Sequence, residues 1–253
     1  MSTTSGTTPT GATIDVVLSP PEIDLLPRRD LAGSVAVVFD VLRATSTMIT
    51  ALAHGATGIW PVRTVEEALA LKKKHPEALL GGERCGDCIQ GFDLGNSPLE
   101  YGENVRGREI IATTTNGTVA LRAVEHASCV LAAALLNIGA LAAHLNAQPS
   151  RDILLVCAGT FREVALEDVL AAGLLISLLP KRLLTDSAQI ALSLHVQNQC
   201  DLPAALRRSK NGRALLAKGR ELEVEWCARP SVVTLVAEMD HSGLIQTRAA
   251  LPA

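Results

Sequence analysis

Three stretches of the chain follow one plan, an apolar run that leads to a polar tip and then to a helix-forming segment. They are VVFDVLRATSTMITALAHGA, IIATTTNGTVALRAVEHAS and LLVCAGTFREVALEDVLAAG. In the first, Asp40 ends the apolar run, Arg43 follows three residues later, and Thr45, Ser46 and Thr47 open a helix. Helix-opening N–H groups and hydroxyls bind phosphate oxygens. Arginine adds a planar, two-pronged donor, and aspartate is a hard oxygen ligand of the kind Mg²⁺ prefers. The competing reading is local: Asp40 caps the turn and Thr45 or Ser46 caps the helix. In the second, Thr114, Thr115, Asn116, Gly117 and Thr118 offer hydroxyls, an amide and a helix N-terminus. That is an oxyanion cradle, or a simple tight turn at Asn116-Gly117. In the third, CAGT leads to Glu167 and Asp168 at the start of a helix. They read either as metal ligands or as ordinary partners of the helix dipole.

Between the first two lies a long, polar, glycine-containing loop from Glu83 to Pro98, opened by GGER (Gly81 to Arg84) and closed by GFDLGNSP (Gly91 to Pro98). A loop of that length inside a compact domain is more often functional than filler. GGER sets an acid beside an arginine, Glu83 and Arg84, and the second motif carries Asp93.

Several known phosphate chemistries are excluded. A cysteine-nucleophile phosphatase needs five residues between Cys and Arg, and Cys157 and Arg162 are separated by four. Leu42 replaces the second acid of an Asp-x-Asp nucleophile motif. There is no G-x-x-x-x-G-K-[ST] nucleotide loop and no Arg-His-Gly histidine nucleophile.

The elements that must position these tips alternate along the chain. Strands are expected at Val35–Asp40, Gly58–Val62, Ala78–Gly82, Glu109–Thr114, Cys129–Ala133 and Asp152–Cys157. Helices are expected at Ser46–His54, Val65–His75, from Gly117, at Asn137–Leu145 and at Leu166–Leu179, with helical character continuing to about Lys218. Late strands are expected at Val224–Ala228 and Val232–Ala237, as antiparallel additions. Repeated β-then-α order implies an α/β fold with a mostly parallel or mixed sheet and helices on both faces. In such sheets ligands sit at the carboxyl ends of the strands, where the three tips converge.

Composition narrows the class. The chain has 253 residues, 48% of them hydrophobic but only 2% aromatic, and a net charge of −3. It suits one α/β domain or two intimate subdomains with an Ala/Val/Leu/Ile core. No basic stripe marks a nucleic-acid partner, and no apolar stretch reaches the length of a membrane span. Met1 to Thr13 is Ser/Thr/Gly-rich and lacks the basic and apolar regions of a signal peptide. It is expected to be a disordered tail on a cytoplasmic protein. Cys85 and Cys88 form a single C-x-x-C pair without companion ligands, read as an incidental loop feature. Oligomeric state stays open, a homo-oligomer included.

The motifs DVLRATST, GGER, GFDLGNSP, TTTNGT, CAGT and LEDVLAAG occur in that order over about Ile14 to Ala237. In this the chain resembles the 2-phosphosulfolactate phosphatase (ComB-like) family. The late segment SKNGRAL, Ser209 to Leu215, is similar in style. Phe161, Arg162 and Glu163 replace the glycine-rich turn that often follows CAGT, and Cys85 and Cys88 enter a loop that is usually Gly- and Lys-like. The resemblance implies a three-layer α/β/α fold and a Mg²⁺-dependent hydrolase of 2-phospho-3-sulfolactate, a small anionic phosphate ester. On that footing Asp40, Glu83 and Glu167 or Asp168 are expected to hold Mg²⁺. Arg43 and Thr45 to Thr47 would hold the phosphoryl group, and Arg84 with Thr113 to Thr118 the sulfonate and carboxylate. Water, or Asp40 itself, would attack phosphorus, with Asp93 as general acid or base. A phosphatase of another phosphorylated hydroxy acid, or a non-catalytic anion-binding module, are the alternatives.

Overall fold

The computed structural model describes residues 11–248. In chain order the elements are β1 (Thr13–Val17), α1 (Pro20–Ile23), β2 (Ser34–Phe39), α2 (Ala44–Ala53), β3 (Gly58–Val62), α3 (Val65–Lys74), β4 (Leu79–Arg84), β5 (Asp87–Cys88), β6 (Glu109–Thr113), α4 (Gly117–Ala123), β7 (Cys129–Ala133), α5 (Ile138–Asn146), β8 (Asp152–Cys157), α6 (Leu166–Leu178), β9 (Leu183–Leu184), α7 (Asp186–Asn198), α8 (Leu202–Arg208), α9 (Lys210–Ala217), α10 (Glu221–Cys227), β10 (Val236–Met239) and β11 (Ile245–Arg248).

The strands form one sheet in the order β5-β4-β6-β3-β11-β10-β7-β2-β8-β1-β9. It consists of two parallel blocks, β4-β6-β3 and β7-β2-β8-β1-β9. The hairpin β10-β11 pairs antiparallel to both and joins them. The expected antiparallel additions are present, but they sit in the middle of the sheet. Their register also differs from expectation. Val224–Ala228 is not a strand but the end of α10, and the later strand begins at Val236. Val224, Cys227 and Ala228 are the buried positions there, the spacing of one helical face. Four short strands, β1, β5, β9 and β11, escaped the sequence reading. Of the expected tail, residues 1–10 lie outside the described residues, while Thr13 opens β1.

Helices cover both faces, and the strand pattern shows why. Along β2, Val35, Val37 and Phe39 enter one apolar cluster with α5 and α6, while Ala36 and Val38 enter the other with α2 and α4. Strands buried on both faces read as continuous apolar runs, as VAVVF does. A third, smaller cluster joins α3 to β4 and β6 through Ala68, Leu80 and Ile111. The α3 helix is ended as its sequence dictates: Thr64 accepts a hydrogen bond from the Glu67 N–H, and Lys72 to Lys74 occupy the negative end. Among the described residues no helix is long and apolar enough to cross a membrane.

The glycine that ends LEDVLAAG sets a close contact between two helices. A Cβ on Gly173 would lie 2.0 Å from the Ala191 carbonyl oxygen of α7. Gly173→Ala is therefore expected to push α6 from α7 at a cost of about 2–3 kcal/mol. The thermal midpoint should fall by about 5–10 °C, read by circular dichroism, with helix content retained below the transition.

Candidate active site

The tips after β2, β4, β6 and β8 meet over one cavity of about 170 Å³. Five strand steps separate β2 from β6 in the sheet order, roughly 24 Å if the sheet were flat. Yet a Cβ on Gly117, at the start of α4, would lie 2.7 Å from Asp40 Oδ2 and 2.7 Å from Ala44 Cβ. The sheet twist and the reach of both loops close the gap, and only a residue without a side chain fits at 117. Gly82, with φ +147°, serves β4 in the same way, since a Cβ there would strike the Thr113 carbonyl at 2.0 Å. That close approach brings Glu83 up to the turn after β6.

Asp40, Arg43 and Glu83 all line this cavity, as do Thr115 and Asn116. Asp40 Oδ1 accepts from the Ala44 N–H at 3.1 Å. Glu83 bridges two loops, accepting from the Thr115 N–H and from the Gly86 N–H, both at 2.7 Å. Glu167, 1% exposed, accepts from Asn211 Nδ2 at 2.6 Å through Oε1, and its buried Oε2 has no hydrogen-bond partner. Thr115 Oγ1 is a second buried atom without one. Asp168 straps the tips after β2 and β8 together, accepting from the Val41 N–H at 2.8 Å and the Gly159 N–H at 3.1 Å.

Crowding acids away from water raises their proton affinity. Burial pushes Asp40 up to about 7, with the Glu83 and Glu167 charges adding and the Ala44 N–H opposing. Burial likewise raises Asp168, helped by the charges of Asp40 and Glu167, and burial raises Glu167. Among the described residues, no three His, Cys, Asp or Glu side chains are gathered as a ready-made metal cage.

Other expected site residues are placed differently. The Thr45, Ser46 and Thr47 hydroxyls bond to the Asp40, Val41 and Asn96 carbonyls and do not line the cavity. Thr45 and Ser46 close the turn that Asp40 caps, but neither caps the helix, and Thr47 ties the helix to the loop at Asn96. Thr114 and Thr118 bond to each other's backbone at the start of α4. Arg84 lies on the other side of its strand, against Thr113 Oγ1 at 2.9 Å and the Glu83 carbonyl at 2.7 Å. Asp93 is an exposed residue that accepts from the Leu80 N–H at 2.8 Å, away from the cavity.

The C-terminal helices supply what the motifs do not show. Asn211, Ala214, Leu215 and Lys218 form one wall. Asn211 Nδ2 also reaches Thr160 Oγ1 at 2.6 Å, so it ties α9 to the third tip. Glu223 of α10 forms a buried ion pair with Arg43, and the Arg43 Nη2 also donates to the Gly86 carbonyl at 3.0 Å. The Leu42–Arg43 peptide is cis. Asn211 lies inside SKNGRAL, a signal without an assigned role; nothing local marks Glu223.

The raised carboxyl has a consequence for stability. Folded Asp40 keeps its proton to about pH 7, whereas the unfolded chain loses it near the ordinary value of 3.8. Between those limits the unfolded state binds fewer protons, so stability falls as pH rises and levels off above 7. The swing is at most about 4 kcal/mol. In chelator, melts from about pH 5 to about pH 8 should show this fall, and Asp40→Asn should lessen it, leaving the part that Asp168 and Glu167 contribute.

A family model described as 2-phosphosulpholactate phosphatase matches residues 22–242. A protein of Deinococcus radiodurans is 44% identical over 85% of this chain and 90% of its own length. One of Carboxydothermus hydrogenoformans is 40% identical over 89% of this chain and 92% of its own, and one of Clostridium acetobutylicum 35% identical over 92% and 99%. Each of the three bears the name "probable 2-phosphosulfolactate phosphatase". With the tips after β2, β4, β6 and β8 gathered at the carboxyl ends of the strands, the chain belongs to the 2-phosphosulfolactate phosphatase family.

Proposed function

We propose that this protein hydrolyses 2-phospho-3-sulfolactate to 3-sulfolactate and phosphate with the help of a bound Mg²⁺ ion. The observation that carries the reading is the group of buried acids at the cavity: Asp40 and Glu83 line it, and Glu167 lies buried behind the lining Asn211 with its Oε2 unpartnered. A polyanionic ester placed against bare carboxylates is repelled. A divalent cation removes that conflict and also satisfies the orphaned oxygen.

The donor set fits such an ion. Carboxylate oxygens are hard donors, and Mg²⁺ is held through one or two carboxylates while it keeps several waters and takes substrate phosphate oxygens. Asp40 and Glu167 would hold it, with Glu83 beside them; Asp168 has both oxygens committed to backbone N–H groups. When bound, the ion would neutralise phosphoryl charge and polarise the ester.

The remaining work is positioning, which dominates phosphoryl transfer. Arg43 is fixed from behind by Glu223 and the Gly86 carbonyl, so its remaining N–H donors are oriented before substrate arrives. Thr115 Oγ1, buried and unpartnered on the cavity wall, is free to donate to an ester oxygen. Removing Glu223 would strand the Arg43 charge, a loss of about 3–5 kcal/mol.

Phosphate release should be fastest from 2-phosphosulfolactate in a panel with phospholactate, phosphoglycolate and phosphoglycerates, and EDTA should stop it. Asp40→Asn should lower kcat by about a thousandfold or more with an unchanged circular dichroism spectrum. Full activity of that variant would remove Asp40 from the chemistry. Mg²⁺ should raise the melting temperature of the wild type but not of Glu167→Gln; an equal rise in both would place the ion elsewhere.

A further inference from the structure

With Arg84 turned away from the cavity, the wall residues that carry positive charge are Arg43 and Lys218. They differ in what surrounds them. Arg43 is 4% exposed, and its charge is compensated inside the fold by Glu223. The Lys218 Nζ lies 2.8 Å from Asp87 Oδ1, in a pair whose side chains are 41% and 65% exposed. It also donates to the Cys85 carbonyl at 3.3 Å. Exposed pairs of this kind contribute about 0–1 kcal/mol, so an anion in the cavity can compete for the ammonium.

Releasing Lys218 would not loosen the loop it touches. The tip Cys85-Gly86 is also held by Arg43 and by Arg220, whose Nη1 donates to the Gly86 carbonyl at 2.8 Å. Arg220 Nη2 remains 3.3 Å from Asp87. Lys218 is thus a redundant clamp on the loop, while it stands on the cavity wall.

Its position at the C-terminal cap of α9 says which end of a ligand it meets. Asn211, Ala214, Leu215 and Lys218 recur at helical spacing on one face. Asn211 touches the buried Glu167, at the acidic end of the cavity. Lys218 lies seven residues further, about 10 Å along the axis, at the opposite end of the wall. The phosphoryl group belongs with the acids and their cation, so the group near Lys218 is the ligand's other strong acid.

We infer that Lys218 binds the sulfonate of the substrate and so sets specificity among phosphorylated hydroxy acids, an inference that rests on the phosphatase reading above. An ammonium is a compact point charge with three donors, suited to the three-fold set of sulfonate oxygens. A ligand with a methyl group in place of the sulfonate-bearing carbon has nothing to offer it.

The test is binding of 3-sulfolactate and of lactate in Mg²⁺, followed by calorimetry and ligand-observed NMR, in the wild type, Lys218→Met and Asp87→Asn. Lys218→Met should weaken 3-sulfolactate by about 10- to 100-fold and leave lactate unchanged. Asp87→Asn, which frees the lysine, should bind 3-sulfolactate at least as tightly as wild type. Unchanged 3-sulfolactate affinity in Lys218→Met overturns the assignment, as does a wild type that binds none. Equal weakening of both ligands, or a matching loss in Asp87→Asn, overturns it in favour of a loop clamp. Binding is read without turnover, so the two readings fail separately: a wild type that binds 3-sulfolactate through Lys218 yet releases no phosphate from the ester would retire the phosphatase reading alone.

Discussion

Holding several carboxylates together out of water is the constraint around which this molecule is arranged. Asp40, Glu83, Glu167 and Asp168 are each at most 8% exposed, and an unpaired buried charge is among the costliest features a fold can carry. The surroundings meet part of that cost with dipoles. Backbone N–H groups of Val41, Ala44, Gly86, Thr115 and Gly159 point at three of the four acids. These donors belong to the turns after β2, β4, β6 and β8, so the acids are also the knots that fasten the strand tips to one another. What dipoles leave uncompensated shows in the raised proton affinities and in the lone Glu167 Oε2.

The same constraint accounts for the small residues near the site. Four tips can share one cluster only if their backbones nearly touch. Gly82 admits the Thr113 carbonyl, and Gly117 admits both Asp40 and Ala44. The hairpin β10-β11, set between the parallel blocks, keeps them in one continuous sheet. A sheet of this width has room to twist, and the twist carries the β6 tip toward the β2 tip.

Much of the scaffold was legible because parallel strands buried on both faces must be apolar throughout, and VAVVF and ILLVC are. Asp40 and Glu83 were legible as acids at strand ends. Less could be read where the question was which way a side chain points. Glu83 and Arg84 are neighbours on β4, and neighbours on a strand face opposite sides, so GGER could not deliver both to one cavity. Thr45, Ser46 and Thr47 have the composition of a phosphate cradle, but Thr45 and Ser46 satisfy nearby carbonyls first, and Thr47 bonds the Asn96 carbonyl of a distant loop. Asp93 is spent on the Leu80 N–H in the same local way. Asn211 and Glu223 were out of reach because their partners lie 44 and 180 residues away along the chain, and no spacing rule spans such separations.

The C-terminal helices therefore complete the cavity with the opposite character to its floor. The strand tips bring acids whose geometry is dictated by backbone contacts on every side. The α9 wall brings an amide and an ammonium on a single helical face, anchored at one end by Asn211 to Glu167 and Thr160. Lys218 itself pairs with Asp87 and the Cys85 carbonyl rather than with the acids, so its charge can be removed without breaking a contact of the acid cluster. Arg43 cannot vary so freely: its pairing with Glu223 is buried, and loss of either partner leaves the other charge stranded. The division follows from burial alone. The acids and Arg43 are locked against the strand tips, whereas Lys218 stands on a wall that packing leaves adjustable.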